Sequence, residues 1–334
     1  MGENTTKLRK INAKTIRQVL KNNPNITKAA VAEKTGLSYS TCNIILNEMV
    51  ETGEVFASEQ TIISGGRPAQ IYNFNAQFNT MICFYIIEHQ PEPLAVYAIF
   101  DLSGNILEDG YSLMPQPDEN TIETFLANLL AKHPRTNVIG IGLPAVIMDY
   151  RTISFSDFPR LENIPLAEQL ENKFKIPIII ENDANLTALG LSHSSAAKQS
   201  VIALYFPKES HPGSGVVING EIVRGFSNFA GEIAYLPSDY GMGQDTVAQN
   251  SSEAAKQAAY IISAFACTLN PEFILLTGPI LNDKMIPDIL RWCNKYTPSE
   301  HLPQLTYISD TKSYYLMGLW TLIQKNTITL FESI

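Results

Sequence analysis

Charged side chains are scarce in this chain, at 17% of 334 residues against 45% apolar ones. That balance excludes a disordered or fibrous polypeptide and supports roughly two or three domains with at least one large core. Long apolar runs are missing as well. Even the stretch from Ala258 to Leu269 stops at Asn270-Pro271, short of the ~18 uncharged residues of a membrane helix. The opening Met1-Gly2-Glu3-Asn4 lacks the apolar core of a signal peptide. Met1-Gly2 with Thr6 fits a myristoylation pattern, but coincidence readily supplies three loose positions. Cysteine is sparse too. Cys42, Cys83, Cys267 and Cys293 lie far apart without a Cys-x-x-Cys, so they read as reduced thiols and not as a disulfide framework. The expectation is a soluble cytoplasmic protein with no membrane contact.

Charge is distributed unevenly. Residues 1–80 carry nine basic against six acidic side chains, a net of +3, and the remainder fifteen against twenty-seven, a net of −12. An acidic body repels polyanions, so any nucleic-acid contact must come through the first eighty residues.

Those eighty residues show helical spacing. Ile16, Val19 and Leu20 form one apolar stripe. After Asn23-Pro24-Asn25, Thr27 is placed to cap a second helix burying Val31 and Ala32, which Gly36 ends. Ser38 then caps a third helix with Cys42, Ile45, Leu46 and Met49 inward. The spacing Ala32, Gly36, Cys42, Ile45 is that of a helix-turn-helix. Ser38, Tyr39, Ser40, Thr41, Asn43 and Asn47 are left to reach base edges and phosphates. A short strand near Val55-Phe56 and a second run, Gln70 to Phe74, flank Ser64-Gly65-Gly66-Arg67-Pro68. Two strands joined by that tip make a wing, in which Gly65 and Gly66 let the backbone sink into a minor groove and Arg67 meets its negative potential. A helix-turn-helix followed by this tip points to double-stranded DNA; a three-helix protein-docking module is the alternative.

The body repeats one plan. Ile82–Ile87 and Leu94–Phe100 read as paired strands ahead of a turn at Ser103-Gly104-Asn105, and Val201–Phe206 and Gly215–Ile218 as a second pair turning at Asn219-Gly220 into Glu221-Ile222-Val223. Helices near 122–132, 166–174, 253–269 and 286–296 alternate with strands near 138–141, 178–180, 273–276 and 305–309, and a last helix starts about Ser313. Sheets built this way carry helices on their faces and bind ligands where the halves meet.

Four segments then resemble the ROK family, named for its repressors, open reading frames and sugar kinases. They are Gly140-Ile141-Gly142-Leu143-Pro144-Ala145; Pro177 to Asn185 with Ala188-Leu189-Gly190; Gly213 to Gly220 with Arg224-Gly225; and Ala230-Gly231-Glu232-Ile233. The winged module resembles that of the family's repressors. The resemblance implies an α/β chain: a winged helix-turn-helix, then an actin-like, ribonuclease-H-like pair of lobes with a sugar cleft between them. The expected division is 1–78 for the winged module, 79–198 with 312–334 for the first lobe, and 199–311 for the second. Sugar contacts are implied for Asn182, Asp183 and Glu232, with Asp157 standing where the family has a sugar-binding Asn.

Sugar phosphorylation needs a base at the attacking hydroxyl and a cradle for ATP phosphates and Mg²⁺. Asp183 matches the family's base, although an Asp opening a helix is also an N-cap. The family's first phosphate loop, Asp-x-Gly-x-Thr, falls on Cys83 to Gln90, which contains no Gly and no Asp, while Glu88 would repel a triphosphate. Gly278-Pro279 replaces a glycine pair expected near adenosine. The family's zinc-binding His corresponds to Tyr235, no cysteine lies between Leu236 and Ala266, and five scattered His offer no ligand spacing. The same shortened region lacks a further sugar-contacting Glu. No catalytic residue, metal or cofactor is therefore expected. The implied function is a DNA-binding transcriptional regulator, a repressor of carbohydrate metabolism. It would bind a palindromic operator as a homodimer or tetramer and take a sugar or sugar derivative as inducer. A DNA-binding protein with a vestigial, ligand-free body and a residual sugar kinase stay open as alternatives.

Overall fold

Apolar stripes at helical spacing build the front of the chain. The computed structural model describes residues 2–60, 69–89, 91–148, 151–194, 200–208, 211–237, 248 and 250–330. It falls into two units, residues 1–80 with 101–105 and residues 81–100 with 106–334. In the first, α1 (Gly2–Asn22) buries Ile16 and Leu20. A turn with Asn25 at φ 57° leads through β1 (Ile26–Thr27) into α2 (Lys28–Thr35). The Thr27 hydroxyl accepts from the Ala30 N–H at 3.3 Å, and left-handed Gly36 (φ 70°) closes the helix onto the Ala32 carbonyl. In α3 (Tyr39–Glu51), capped by Ser38, the buried residues are Cys42, Ile45, Leu46 and Met49. These four share one face because they recur every three or four residues.

A hairpin follows. β2 (Val55–Gln60) pairs antiparallel with β3 (Ala69–Phe74), from Val55 opposite Phe74 to Gln60 opposite Ala69. β1 joins the other edge of β3. The first strand is longer than Val55-Phe56 because every residue of β3 offers it a backbone partner.

The second unit contains the two related halves. The first runs β4 (Thr80–Ile87), β5 (Leu94–Asp101), β6 (Ile106–Leu113), α4 (Glu119–Lys132), β7 (Thr136–Leu143), the hairpin β8 (Ala145–Met148) and β9 (Thr152–Ser156), α5 (Leu166–Phe174) and β10 (Ile178–Asn182). After α6 (Asp183–Ser194) the second runs β11 (Val201–Tyr205), β12 (Gly213–Ile218), β13 (Glu221–Ile222), α7 (Ser251–Thr268), β14 (Phe273–Thr277), α8 (Ile286–Cys293) and β15 (Gln304–Tyr307), and α9 (Lys312–Leu330) ends the chain's described part. The sheets are ordered β6-β5-β4-β7-β10 and β13-β12-β11-β14-β15. Counted among the strands of its own sheet, each reads third, second, first, fourth, fifth. This shared order is the two-lobed α/β architecture the resemblance implied. Neither β6 nor the β8–β9 hairpin is among the expected elements; β6 alternates half-buried and exposed residues with no inward apolar face. Among the described residues no helix is long and apolar enough to cross a membrane.

Two helices bring the lobes' sheets together. α9 lies on β7, where Gly140 makes room for Leu319 and Ile323, and α6 lies on β12, where a Cβ on Gly215 would meet the Ala184 carbonyl oxygen at 2.1 Å. The helices cross backbone to backbone. A Cβ on Gly190 would stand 1.8 Å from the Tyr314 carbonyl oxygen, and one on Gly318 2.0 Å from that of Leu186. Backbone cannot yield as a side-chain tip can, so Gly190→Ala should destabilise the body by ~1–3 kcal/mol or more. Thermal melts should show a lowered midpoint for Gly190→Ala. The same change at Gly213, where nothing lies within 4 Å of the place a Cβ would take, should be tolerated.

Candidate functional site

The site in the body starts from one buried carboxylate. Glu181, the fourth residue of β10, is fully buried. Its Oε1 accepts from the Asn182 N–H at 2.7 Å and from Asn185 Nδ2 at 3.1 Å, and its Oε2 accepts from the Arg224 guanidinium. Arg224 follows β13 and so reaches Glu181 from the other lobe. Burying a carboxylate without such partners costs several kcal/mol.

The next residue closes the strand and opens the helix. Asn182 Oδ1 accepts from the N–H groups of Ala184 (2.9 Å) and Asn185 (3.1 Å), while its Nδ2 donates to the Ala145 carbonyl at 3.0 Å. Asn182 is therefore the side-chain N-cap of α6, the role weighed above for Asp183. Its amide keeps one N–H for a ligand. Asp183 Oδ1 accepts from the Ala184 N–H at 2.8 Å. The Asp183 carboxyl is pushed up to about 7, mainly by loss of water and further by the nearby charges of Asp157 and Glu232.

Other groups gather around it. Burial raises Glu232; partial loss of water and the charge of Glu88 raise Asp157, which stands exposed at the rim with its N–H on the Pro144 carbonyl at 3.1 Å. Burial and the charges of Asp183, Glu88 and Asp157 raise Tyr205. A concavity between the lobes is lined by Ala145, Val146 and Ile147 on one side and by Ser214, Arg224, Asn228, Ala230 and Glu232 on the other, with Glu181, Asn182 and Asn185 at its floor. Of the four residues expected to touch sugar, Asn182 and Glu232 line it. Asp183 and Asp157 adjoin it through their charges without lining it. Sequence reasoning missed Arg224 and Asn185, although both lie inside the segments that carried the resemblance; an acid directly after the apolar run Ile178-Ile179-Ile180 was the available signal that a cation must come to Glu181.

Carboxylates, amides and one guanidinium around a shallow polar hollow can bind a polyhydroxylated molecule by accepting and donating at once. Tyr235, which stands where the family's zinc-binding His is expected, is exposed, its ring tilted 55° to that of Phe229 with centroids 5.1 Å apart; among the described residues no three His, Cys, Asp or Glu side chains are grouped to hold a metal.

In the front unit the outward stripe of α3 holds Ser40, Asn43, Ile44 and Asn47. Tyr39 is exposed beside it. Ser38 and Thr41 engage each other, the Ser38 hydroxyl accepting from the Thr41 N–H at 3.1 Å with 2.8 Å between the two hydroxyls. The Lys28 ammonium donates to Asn43 Oδ1. Two cations are spent within the unit, Arg9 on Glu48 and Arg17 on buried Glu54. Gly65, Gly66 and Arg67 lie outside the described residues.

The carboxyl shift has a testable sign. A raised acid binds a proton more tightly in the folded chain than in the unfolded one, where its pKa is about 3.9. The stability contributed by the neutral form is present at low pH and is lost as pH rises through about 7. Asp183→Asn keeps the group neutral, so its thermal midpoint should lie nearest the parent's at about pH 4 and exceed it by progressively more up to about pH 8. An equal difference at both pH values would mean that Asp183 is not held protonated.

Known proteins share these features. The profile of the ROK family matches residues 94–240, and that of winged helix-turn-helix DNA-binding domains matches residues 13–53. The xylose repressor of Bacillus subtilis (strain 168) is 29% identical over 244 residues, 70% of this chain and 62% of the relative. The alignment thus spans about three fifths of that relative's length. A crystal structure of a ROK family transcriptional regulator, a homologue of the E. coli MLC protein, superposes with a TM-score of 0.69 at 15% identity, covering 98% of this chain and 99% of that one. The ROK hexokinase from Thermus thermophilus reaches 0.62 at 17% identity and covers 74% of this chain and 99% of its own. The quarter of the chain that the hexokinase leaves uncovered equals the front unit in size. Residues 94–240 thus match the ROK family, behind a segment, residues 13–53, that matches winged helix-turn-helix DNA-binding domains.

Proposed function

We propose that the chain is a sugar-responsive transcriptional regulator, a repressor of carbohydrate metabolism acting on the chromosome in the cytoplasm. The carrying observation is the joining in one chain of a capped helix-turn-helix with a polar outward face and a lobed body whose polar hollow retains Asn182 and Glu232 beside Asp183. The winged module would bind a palindromic operator as a homodimer or tetramer, since half-sites one helical turn apart need two recognition helices at fixed spacing. A sugar or sugar derivative seated among Asn182, Asp183, Glu232 and Asp157 would favour one lobe arrangement over another. A coupling of ~1–3 kcal/mol suffices for induction. A repressor among the relatives supports this reading.

A second reading has its own observation. The Asn182 amide is largely spent on capping, and Asp157 brings a charge where a neutral amide is expected, which favours a body that keeps the scaffold without a ligand. Kinase chemistry finds less support: Glu88 sits close enough to raise Asp157 and Tyr205, so a triphosphate entering along the opening hairpin would meet carboxylate.

Two measurements check the proposal. Binding to a labelled duplex should weaken steeply with salt, and Arg67→Ala should flatten the log–log slope by about 0.9, the share of one phosphate contact. Thermal shift against monosaccharides, amino sugars and sugar phosphates should find at least one stabilising compound, worth ~2.7 kcal/mol at a hundred times its dissociation constant. Duplex binding with no stabilising compound would select the vestigial reading, and ATP consumption with any of them would restore the kinase.

A further inference from the structure

The outward stripe of α3 contains one side chain that phosphate and hydrogen-bond contacts leave unused. Ile44 is 54% exposed, the most exposed aliphatic side chain of α3, whose Val50 near the C-terminal end is 36% exposed and whose Cys42, Ile45, Leu46 and Met49 are almost completely buried. It lies outside the front unit's core cluster. Single exposed aliphatic residues are ordinary, so exposure by itself decides nothing. The surroundings do.

Ser40, Asn43 and Asn47 are the nearest residues on the same stripe, one helical turn or less away. Lys28 donates to Asn43 Oδ1, and its ammonium stands 5.8 Å from the Tyr39 ring centroid and 5.7 Å from that of Tyr72. Lysine can only donate, so the amide oxygen of Asn43 must be the atom facing it, and the NH₂ group is turned away. An Asn reading adenine uses its oxygen and its NH₂ together. With the oxygen engaged, Asn43 and Lys28 offer hydrogen-bond donors. Ile44 therefore stands as a branched apolar group beside a cationic, donor-rich rim. The major groove offers such donors acceptors at guanine N7 and O6, adenine N7 and thymine O4, and its single type of apolar group is the thymine C5-methyl.

We propose that Ile44 is a specificity-determining residue that packs against a thymine methyl in the half-site. The inference rests on the DNA-binding reading above and goes beyond it by naming the base feature and the residue that reads it.

The test uses the full-length protein and duplexes it enriches from a random library. In an enriched duplex each thymine is replaced in turn by deoxyuridine, which removes only the methyl group. The parent protein should lose about fourfold in affinity at one thymine, the worth of one buried methyl-sized group. Ile44→Ala should bind the thymine duplex about that much more weakly and show no further loss with deoxyuridine, while Ile44→Val should keep most of the preference. The half-exposed position makes both variants foldable, and unchanged thermal midpoints check this. Equal binding of thymine and deoxyuridine duplexes by the parent, or an undiminished methyl preference in Ile44→Ala, overturns the proposal and leaves DNA binding standing. Failure to enrich any duplex at low salt overturns the DNA-binding reading itself and this proposal with it.

Discussion

A fully buried carboxylate needs a cation, and in this chain the two belong to different lobes. Glu181 is the next-to-last residue of a strand of the first sheet, and Arg224 leaves the hairpin edge of the second. Their pairing costs desolvation on both sides, which only close contact and further hydrogen bonds offset. Glu181 has those bonds, from the Asn182 backbone and the Asn185 side chain. One ionic contact thus anchors the turn from β10 into α6, sets the direction in which Asp183 emerges, and brings the loop carrying Glu232 over the same hollow. The glycine crossing of α6 and α9 is the second constraint, since it lets the helices between the sheets approach to backbone contact.

Around this frame the chemistry fits the sensing role proposed above. Acids that lose water rise in pKa, and Asp183, Asp157 and Glu232 all do so, Asp183 and Asp157 further through neighbouring carboxylates. Hydroxyl groups can satisfy such carboxyls by donating to the charged form or accepting from the neutral one. A triphosphate would add negative charge beside these acids, where Arg224, the cation among the described lining residues, is committed to Glu181. The opposite balance holds in the front unit, where the basic surplus and donor groups on α3 suit a polyanion.

Much of this was legible in the sequence where a residue type has few uses. Thr27 and Ser38 preceding apolar periodicity became caps, Gly36 became the left-handed stop, and α5 runs over Leu166–Phe174 as its stripe indicated. The strands β6 and β8–β9 were not legible. An edge strand with no buried face has no strict apolar alternation, and a short hairpin beside a pocket owes its form to tertiary contacts. The cap of α6 was ambiguous because Asn182 and Asp183 are both good caps, and the folded backbone decides which side chain meets the free N–H groups. Arg224 as the partner of Glu181 was out of reach for a related reason: the two are 43 positions apart, and ion pairs across lobes leave no periodic trace.

The central claim is that a ligand in the hollow controls the grip of the winged unit on DNA. Fluorescence anisotropy of a labelled, enriched duplex bound to the full-length protein, titrated with each compound that stabilises it, tests this directly. The account predicts release of the parent protein by at least one compound and retention by Asp183→Asn at the same concentration. A duplex that stays bound in the presence of every stabilising compound, or an Asp183→Asn protein that lets go as readily as the parent, would contradict it.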